Sequence, residues 1–416
     1  MQREEDGYCL VLSGGGAKGV YHIGVWRALR ELGVRVDAFV GTSIGAIIAA
    51  MLAQGSDEAL EEIGRSISMS NVLALPKVLG QDGGLRLGKD SFEELRRLFS
   101  SLIENRGLDT NPLRRLIADH IDEEVIRKSG KDFGIVTVDI SSLRPREVFI
   151  DKMEKGSVID YLMASSAFPG FKQPRIDGKA YMDGGLYDNI PFAMARRRGY
   201  RKIIVSDISG IGFSKKPQID GCHTVYIKNS IDMGGVLDFD REFLERFTLL
   251  GYLDSLRSFG RLVGYSYFIE ADAEAEAKYA MLPAVDQPEF PEAMRHDRRR
   301  LLVSLECAAS ILAVERIRRY DYSELAAAIS RRHAAIEAKI HVDMTRAEKG
   351  AASLAGALRQ AVTERRFDEC PYYYYRLIDQ ALPKTAGAML RRALLRMSPE
   401  LPVGAAYLAA TASLRA

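Results

Sequence analysis

Apolar residues near the start of the chain form short continuous runs that alternate with a helically spaced stretch. Tyr8–Leu12 is an apolar run of strand length, and Val20–Leu32 carries apolar residues at helical spacing. Val36–Val40 is a second apolar run, and it leads through a sharp turn into a helix built of Ala, Ile and Gly. This strand–helix–strand order predicts a parallel sheet with a right-handed crossover.

The middle of the chain leaves this sheet and then returns to it. Residues 57–130 predict polar-faced helices, which we interpret as a lid or as the wall of a substrate cleft. The predicted helices are Asp57–Ser68, Lys89–Ile103, Asn111–Asp119 and Ser157–Ser166, and the later strands are Phe133–Ile140, Glu147–Ile150, Lys179–Met182, Lys202–Ser206 and Thr224–Lys228. We expect Asn189 to cap one more helix, with Pro191 in its first turn.

A change in composition after residue 270 predicts the domain organisation. Residues 271–300 are rich in Ala and Glu, then contain prolines, and then become basic, which is typical of a linker. Residues 301–416 show little strand signal and predict four or five helices: Leu301–Arg319, Tyr322–Ile340, Thr345–Arg366, Thr385–Met397 and an Ala-rich tail. We therefore expect an α/β domain over 1–270, a linker over 271–300 and an all-helical C-terminal domain over 301–416.

The balance of charge and the cysteines limit the classes of protein to consider. The 416 residues include 58 basic and 56 acidic side chains, so net charge gives no reason to expect a nucleic-acid partner. The four cysteines lack C-x-x-C spacing, which disfavours a zinc ribbon and a disulfide framework and fits a reducing compartment. The start has no signal-peptide pattern, and no apolar run is long enough to span a bilayer. We expect a cytoplasmic protein, and contact with a membrane surface stays open.

The first candidate for chemistry is the turn Gly41-Thr42-Ser43-Ile44-Gly45, a G-x-S-x-G pattern between a strand and a helix. Such a turn lifts the serine hydroxyl above the end of the strand, and Gly41 and Gly45 leave room for it. The helix that follows favours negative charge at its N-terminus, beneath Ser43. We predict a nucleophilic Ser43; the alternative is an ordinary turn in which Ser43 is an N-cap.

The loop Gly14–Gly19 lies between a strand and a helix, and it allows two interpretations. It matches the G-x-G-x-x-G dinucleotide fingerprint, but the acidic residue that would hold a ribose is missing, because Asp37 precedes the core of the second strand. The better interpretation is an oxyanion hole. The backbone N–H groups of Gly14, Gly15 and Gly16 carry no side chains and could point at one oxygen.

A nucleophilic serine needs a base, and two residues were weighed for this role. His22 lies inside the predicted helix Val20–Leu32, where a packed or surface histidine is the simpler interpretation. Asp183 follows a short strand and precedes Gly184 and Gly185, which leave its carboxylate uncrowded. Taken alone, this triplet also fits an ordinary Asp-Gly turn.

Five motifs in sequence order resemble the patatin-like phospholipase family. They are Gly14-Gly15-Gly16-Ala17-Lys18-Gly19, Gly41-Thr42-Ser43-Ile44-Gly45, Ala164-Ser165-Ser166-Ala167-Phe168-Pro169, Asp183-Gly184-Gly185 and its extension through Asn189 to Pro191. The resemblance covers about residues 8–210. Each motif alone is common, whereas the ordered set is specific.

The resemblance implies a three-layer α/β sandwich with a mainly parallel central sheet. It implies a Ser43–Asp183 dyad without a catalytic histidine, and it gives Gly14–Gly16 the oxyanion role. Motif support comes from Lys18, Gly19, Gly41, Gly45, Gly184 and Gly185. The implied reaction is hydrolysis of a carboxylic ester of a phospholipid or related lipid, which releases a fatty acid. No metal or other cofactor, calcium included, is implied.

Three other functions stay open at this point. A hydrolase for small soluble esters or thioesters would use the same dyad with a smaller pocket. A nucleotide-binding module would use Gly14–Gly19, although the missing ribose carboxylate argues against it. A lipid-binding regulatory protein with vestigial activity would depend on residues 301–416. We expect a lipid or acyl-ester partner and no nucleic acid, and a homo-oligomer through the C-terminal helices stays open.

Overall fold

The two apolar runs near the start of the chain form the central strands of a sheet. The computed structural model describes residues 7–73, 108–236, 238–281, 299–347, 369–382 and 384–413. The chain divides into two units, Met1–Phe259 and Gly260–Ala416. The predicted helix Lys89–Ile103 lies outside the described residues, as does the predicted helix Thr345–Arg366 beyond residue 347.

The first unit alternates strands and helices along the chain. Its described strands are Tyr8–Leu12 (β1), Val36–Thr42 (β2), Asp132–Asp139 (β3), Arg144–Phe149 (β4), Arg175–Ile176 (β5), Lys179–Asp183 (β6), Lys202–Asp207 (β7) and His223–Lys228 (β8). Its described helices are Val20–Glu31 (α1), Ile44–Gln54 (α2), Asp57–Ser66 (α3), Met69–Val72 (α4), Asn111–His120 (α5), Glu123–Lys128 (α6), Val158–Ser165 (α7), Phe192–Arg198 (α8) and Arg241–Ser258 (α9).

The strands form one sheet in the order β5-β6-β3-β2-β1-β7-β8, with β4 also paired to β3. The pairs within β3-β2-β1-β7-β8 are all parallel. The strands β4, β5 and β6 add antiparallel pairs at one side. A mainly parallel sheet needs cover on both faces, which explains why β1 and the Ala38–Val40 part of β2 are continuously apolar. The α/β class and the mainly parallel sheet are confirmed.

Helices cover both faces of this sheet, which makes the three predicted layers. Cys9 and Val11 of β1 pack against Phe192 at the start of α8 on one face. Phe39 of β2 points the other way, and its ring makes an edge contact with Trp26 of α1 at 5.6 Å between centroids. Alternation along the strands therefore sends neighbouring apolar side chains into two separate cores.

One irregularity of the sheet positions the candidate site. Along the same edge of β3, β2 pairs as far as Thr42 opposite Val136, and β6 takes over with Asp183 opposite Thr137. Thr42 and Asp183 therefore lie opposite consecutive residues of β3, and this brings Ser43, which follows Thr42, close to Asp183 although the two are far apart in sequence. Parallel strands leave their carboxyl ends at one edge of the sheet, and the two residues lie at that edge.

The second unit is helix-rich, as predicted, and also contains one short strand pair. Its described helices are Ala273–Ala280 (α10), Arg300–Ile311 (α11), Tyr322–Ala347 (α12), Pro371–Ala381 (α13), Lys384–Met397 (α14) and Leu401–Ser413 (α15). The pair joins Phe268–Ile269 (β9) to Arg319–Tyr320 (β10). Helix α10 lies in the predicted linker, and its Glu276 accepts hydrogen bonds from the first backbone N–H groups of α11. The boundaries 1–270, 271–300 and 301–416 stay a prediction.

None of the described helices is both long enough and apolar enough to cross a membrane.

Candidate active site

Ser43 sits in a strained turn between β2 and α2. Its φ of 53° and ψ of −127° lie in a region that residues other than glycine rarely adopt. The glycines on either side are required by close packing. A Cβ on Gly41 would collide with the backbone of Gly45, and a Cβ on Gly45 would collide with the Leu12 carbonyl. The G-x-S-x-G pattern therefore reflects the geometry of a nucleophile turn.

A second serine fixes the backbone of this turn. The Ser43 N–H donates a hydrogen bond to Ser165 Oγ at 2.9 Å, and Ser165 Oγ–H donates to the Val136 carbonyl at 2.7 Å. Ser165 is fully buried near the end of α7. Its positioning role was missed by the sequence analysis, and the small-residue segment Ala164–Pro169 was the only signal that could have found it.

Asp183 lies beside Ser43 at the end of β6. It is 6% exposed, and its Oδ1 accepts a hydrogen bond from the Gly185 N–H at 2.7 Å. Burial raises the pKa of Asp183 from 3.8 to about 6, while hydrogen bonds from the Gly185 N–H and the Ser43 side chain act in the opposite direction. The structure thus joins the serine and the aspartate that the sequence analysis paired.

The glycine loop supplies two N–H groups without a partner beside Ser43. The Gly14 N–H donates to the Asn189 carbonyl at 3.3 Å. Among the described residues, the N–H groups of Gly15 and Gly16 make no hydrogen bond. A Cβ on Gly14 would lie 3.1 Å from the Ser43 Cβ, so the loop approaches the serine closely. One of the three N–H groups expected as oxyanion donors thus already has an acceptor, and the oxyanion role itself stays a prediction.

Asn189 joins the glycine loop to the aspartate loop. Its side-chain Nδ2 donates to the Gly14 carbonyl at 3.2 Å, and its own backbone N–H donates to the Phe213 carbonyl at 2.7 Å. The expectation that it caps a helix is wrong, since α8 begins at Phe192 with Pro191 as its N-cap. The fixed spacing of Asn189 after Asp183 was the available signal for its bracing role.

Of the two bases weighed from the sequence, His22 is committed elsewhere. Its Nε2–H donates to the Ser13 carbonyl at 2.9 Å, so its Nδ1 accepts from the Ser206 hydroxyl at 2.7 Å. Burial lowers the pKa of His22 to about 4, so the ring is neutral at pH 7. His22 therefore has no ring nitrogen left for Ser43, and it holds the start of the glycine loop.

The other motif residues shape the loops around the pair. Lys18 is buried, and its Nζ donates to the Ser209 carbonyl at 3.4 Å. Gly19 lies so close to Ile44 that a Cβ would collide with that side chain, and a Cβ on Gly184 would collide with the Val136 carbonyl. Lys18 thus binds a neighbouring loop, and Gly19 and Gly184 lie where a larger side chain would collide with its neighbours.

An apolar pocket opens at Ser43 and Asp183 and continues along α2. Its walls come from one face of α2, from α3 and α5, and from side chains near the opening, chiefly Ile44, Ile47, Ile48, Met51, Leu60, Ile63, Ile67, Leu113, Ile117, Phe168, Phe171, Ile211, Val236 and Phe239. At about 1.5 Å per residue, the stretch of α2 from Ile44 to Met51 is about 10 Å long. The described part of the 57–130 excursion thus contributes a cleft wall, as expected.

The fold and the site define an α/β protein in which a strained serine, a buried aspartate and unpaired glycine N–H groups meet at the end of an apolar pocket. Residues 10–196 match the family described as patatin-like phospholipase. This match covers somewhat less than half of the chain, and it confirms the resemblance found in its motifs.

The curated relatives match over about half of the chain. The patatin-like phospholipase domain-containing protein ZK370.4 of Caenorhabditis elegans is 31% identical over 206 residues, which are 49% of this chain and 14% of that protein. The human patatin-like phospholipase domain-containing protein 6 is 32% identical over 203 residues, 48% of this chain and 13% of the relative. The Cryptococcus neoformans lysophospholipase NTE1 is 30% identical over 204 residues, which are 49% of this chain and 11% of that protein. The chain thus spans about one-seventh or less of the length of these relatives.

Among solved structures, VipD from Legionella pneumophila is similar over 97% of this chain and 88% of its own, with a TM-score of 0.40 and 14% sequence identity. These values are too low for the likeness to bear on the site.

Proposed function

We propose that this chain is a lipid acyl hydrolase that cleaves carboxylic esters with Ser43 as nucleophile and Asp183 as base. The observation that carries the proposal is that Ser43 and the buried carboxylate of Asp183 lie together at the opening of an apolar pocket. The match of residues 10–196 to patatin-like phospholipases supports the same activity, and the relative named a lysophospholipase supports a lipid ester as substrate.

In the proposed reaction, Ser43 Oγ attacks the ester carbonyl carbon while Asp183 accepts the hydroxyl proton. The carbonyl oxygen becomes an oxyanion, and the N–H groups of Gly15 and Gly16 stabilise it. Protonated Asp183 then gives its proton to the leaving alcohol, and an acyl-Ser43 remains. In the second half, Asp183 takes a proton from water, the hydroxide attacks the acyl carbonyl, and the fatty acid leaves as the proton returns to Ser43.

A carboxylate is an ordinary weak base, and its burial here makes it stronger. Burial raises the pKa of Asp183 to about 6, which is closer to the working pH than the pKa of a free aspartate. The carboxylate is still mostly ionised at pH 7 and binds a proton more tightly. The apolar walls exclude water, so the glycine N–H groups act at low dielectric. Removal of one oxyanion donor costs about 3–4 kcal/mol in comparable sites, which is enough for the oxyanion hole to compensate for a modest base.

We further propose that the acyl chain lies along α2. The wall from Ile44 to Met51 is apolar and about 10 Å long at 1.5 Å of rise per residue. Carbon–carbon bonds of about 1.5 Å at about 111° advance about 1.25 Å per carbon, so about eight carbons fit this length. This length favours a lipid ester over the small soluble esters that the sequence analysis left open.

Hydrolysis of defined esters by the purified chain tests this function. Wild type should release fatty acid from a lysophospholipid and from monoacyl esters, measured by mass spectrometry. Ser43→Ala and Asp183→Asn should each reduce turnover at least a hundredfold with their thermal unfolding transitions intact. His22→Gln, whose amide can replace the Nε2 donor, should keep at least a tenth of the activity. Turnover by Ser43→Ala, or a loss in His22→Gln equal to that in Ser43→Ala, would refute the dyad. A preference for acetyl over longer esters would favour the soluble-ester alternative.

A further inference from the structure

The segment Ile208–Ile219, which follows β7, exposes large apolar side chains next to two lysines. Ile211 is 46% exposed and Phe213 is 70% exposed. Lys215 and Lys216 follow at once and are also exposed, and the segment contains no acidic residue. Single exposed apolar residues are common on proteins, but this group combines apolar area with positive charge in one short stretch.

This segment lies at the opening of the apolar pocket. Ile211 is one of the pocket-lining residues. The Phe213 N–H donates to the Gly185 carbonyl at 2.8 Å, and the Phe213 carbonyl accepts from the Asn189 N–H. A Cβ on Gly210 would collide with the Gly14 carbonyl, so the segment also packs on the glycine loop. Its backbone is therefore fixed to the site, while Phe213 is largely exposed and Ile211 is partly exposed at the pocket opening.

The far end of the segment is also fixed by hydrogen bonds, which come from Arg196. This arginine and its two basic neighbours all bind groups within the first unit. Arg196 donates to the carbonyls of Gln218 and Asp220 at 2.6 and 3.0 Å. Its neighbours Arg197 and Arg198 form ion pairs with acidic side chains of the first unit. The basic run Arg196–Arg198 thus stabilises the fold. Lys216 lies at the surface, and Lys215 is also exposed, with its Nζ 3.2 Å from the centroid of the Tyr187 ring.

We propose that Ile211, Phe213, Lys215 and Lys216 form a docking surface for a bilayer that contains anionic lipids. The two apolar side chains would enter the interface, and the two ammonium groups would meet the headgroups. Docking there would place the pocket opening against lipid, from which a substrate could enter without crossing water. The proposal rests on the proposed function only in taking a membrane lipid as the substrate.

The expected effects follow from the chemistry of each side chain. A lysine near an anionic surface contributes about a fivefold factor in binding, so removal of both should weaken binding about 25-fold. Burial of most of a phenylalanine contributes about a tenfold factor. Added salt should weaken vesicle binding because it screens the charge of the lysines. The contribution of Phe213 to binding should not change with salt.

Flotation with vesicles tests the docking surface on the full chain. The Ser43→Ala variant keeps the vesicles intact, and phosphatidylcholine vesicles are compared with vesicles that also contain phosphatidylserine. Phe213→Ser and the double variant Lys215→Ala/Lys216→Ala should lose anionic-vesicle binding by about 10-fold and about 25-fold. Two matched control variants change exposed residues at the opposite edge of the sheet, next to the amino end of β3. Val125→Ser is the control for Phe213→Ser, and Lys128→Ala/Lys152→Ala is the control for the double lysine variant. These controls should bind as the parent does.

A second measurement tests the docking surface even if one of these variants fails to fold. Phe213→Trp places a reporter in the segment, and its emission should shift to the blue when phosphatidylserine vesicles are added. No binding to anionic vesicles, equal binding to neutral vesicles, or equal losses in the control variants would overturn the proposal. Turnover of a soluble monoacyl ester by wild type is measured separately, so a failed docking surface and a failed hydrolase give different results.

Discussion

The buried Asp183 carboxylate should make the folded protein less stable than its amide variant at neutral pH. Burial raises the pKa of Asp183 from 3.8 to about 6, so the charged form is disfavoured in the folded state. In the unfolded chain the same group ionises near its ordinary pKa. The Asp183→Asn variant keeps the shape of the side chain and removes the charge.

The size and sign of the effect follow from the two pKa values. Below pH 3.8 the carboxyl is protonated in both states, so the pH-dependent cost is absent. Between pH 3.8 and about 6 the unfolded chain loses its proton first, and wild type loses stability as pH rises. Above about pH 6 the cost is constant. A shift of about two pKa units corresponds to about 3 kcal/mol.

Urea unfolding of both proteins at about pH 4 and about pH 8 measures this cost. The free energy of unfolding of Asp183→Asn relative to wild type should rise by about 2.4 kcal/mol between the two conditions, because at about pH 4 the unfolded carboxyl is already partly ionised. The difference between the proteins cancels the other titrating groups. Trp26, the single tryptophan, lies in the first unit and packs on Phe39, so its fluorescence reports unfolding of that unit. A difference that does not change with pH, or that favours wild type at high pH, would refute the reasoning.

Three further predictions address the reaction itself. The kcat/KM for a monoacyl ester should rise with pH through about 6, because only ionised Asp183 can accept the Ser43 proton, and a fall across that range would contradict this role. Asn189→Ala leaves the Gly14 carbonyl without its side-chain donor, so kcat should fall about 30-fold, or about 2 kcal/mol, with KM little changed; a change confined to KM would argue against a bracing role. Ile47→Trp fills the pocket about one helical turn beyond Ser43, so the ratio of octanoyl-ester to acetyl-ester hydrolysis should fall at least tenfold, and an unchanged ratio would show that the acyl chain lies elsewhere.

Local sequence was sufficient to find the two residues that we propose to react. Ser43 and Asp183 lie in tight turns whose glycines are required by backbone packing, so short patterns carry the geometry. The continuous apolar runs of β1 and β2 predicted a buried parallel sheet for the same reason, since each strand meets a core on both faces.

Contacts between distant segments could not be predicted in this way. The change of partner along β3, from Thr42 to Asp183, depends on pairing between strands far apart in the chain, and no local pattern encodes it. The commitment of the Gly14 N–H to Asn189 is a contact of the same kind. Asn189 was misassigned because an Asn shortly before Pro191 is also typical of a helix start.

Side chains in the second unit show a similar limit. The aromatic run Tyr372–Tyr375 follows Pro371, and its position among predicted C-terminal helices favours packing between helices over an interfacial anchor. The residues begin helix α13, where Tyr372 is buried and its hydroxyl donates to Glu337 of α12 at 2.9 Å. The tyrosines are thus used inside the unit, and the pairing with a residue of α12 could not be read from the run itself.

The most direct test of the central claim is the site and rate of covalent labelling by a fluorophosphonate, read by mass spectrometry of peptides. The proposed dyad predicts one adduct, on Ser43, with a labelling rate that falls at least a hundredfold in Asp183→Asn. An adduct on another residue, or an unchanged rate without the Asp183 carboxylate, would contradict a Ser43 nucleophile activated by Asp183.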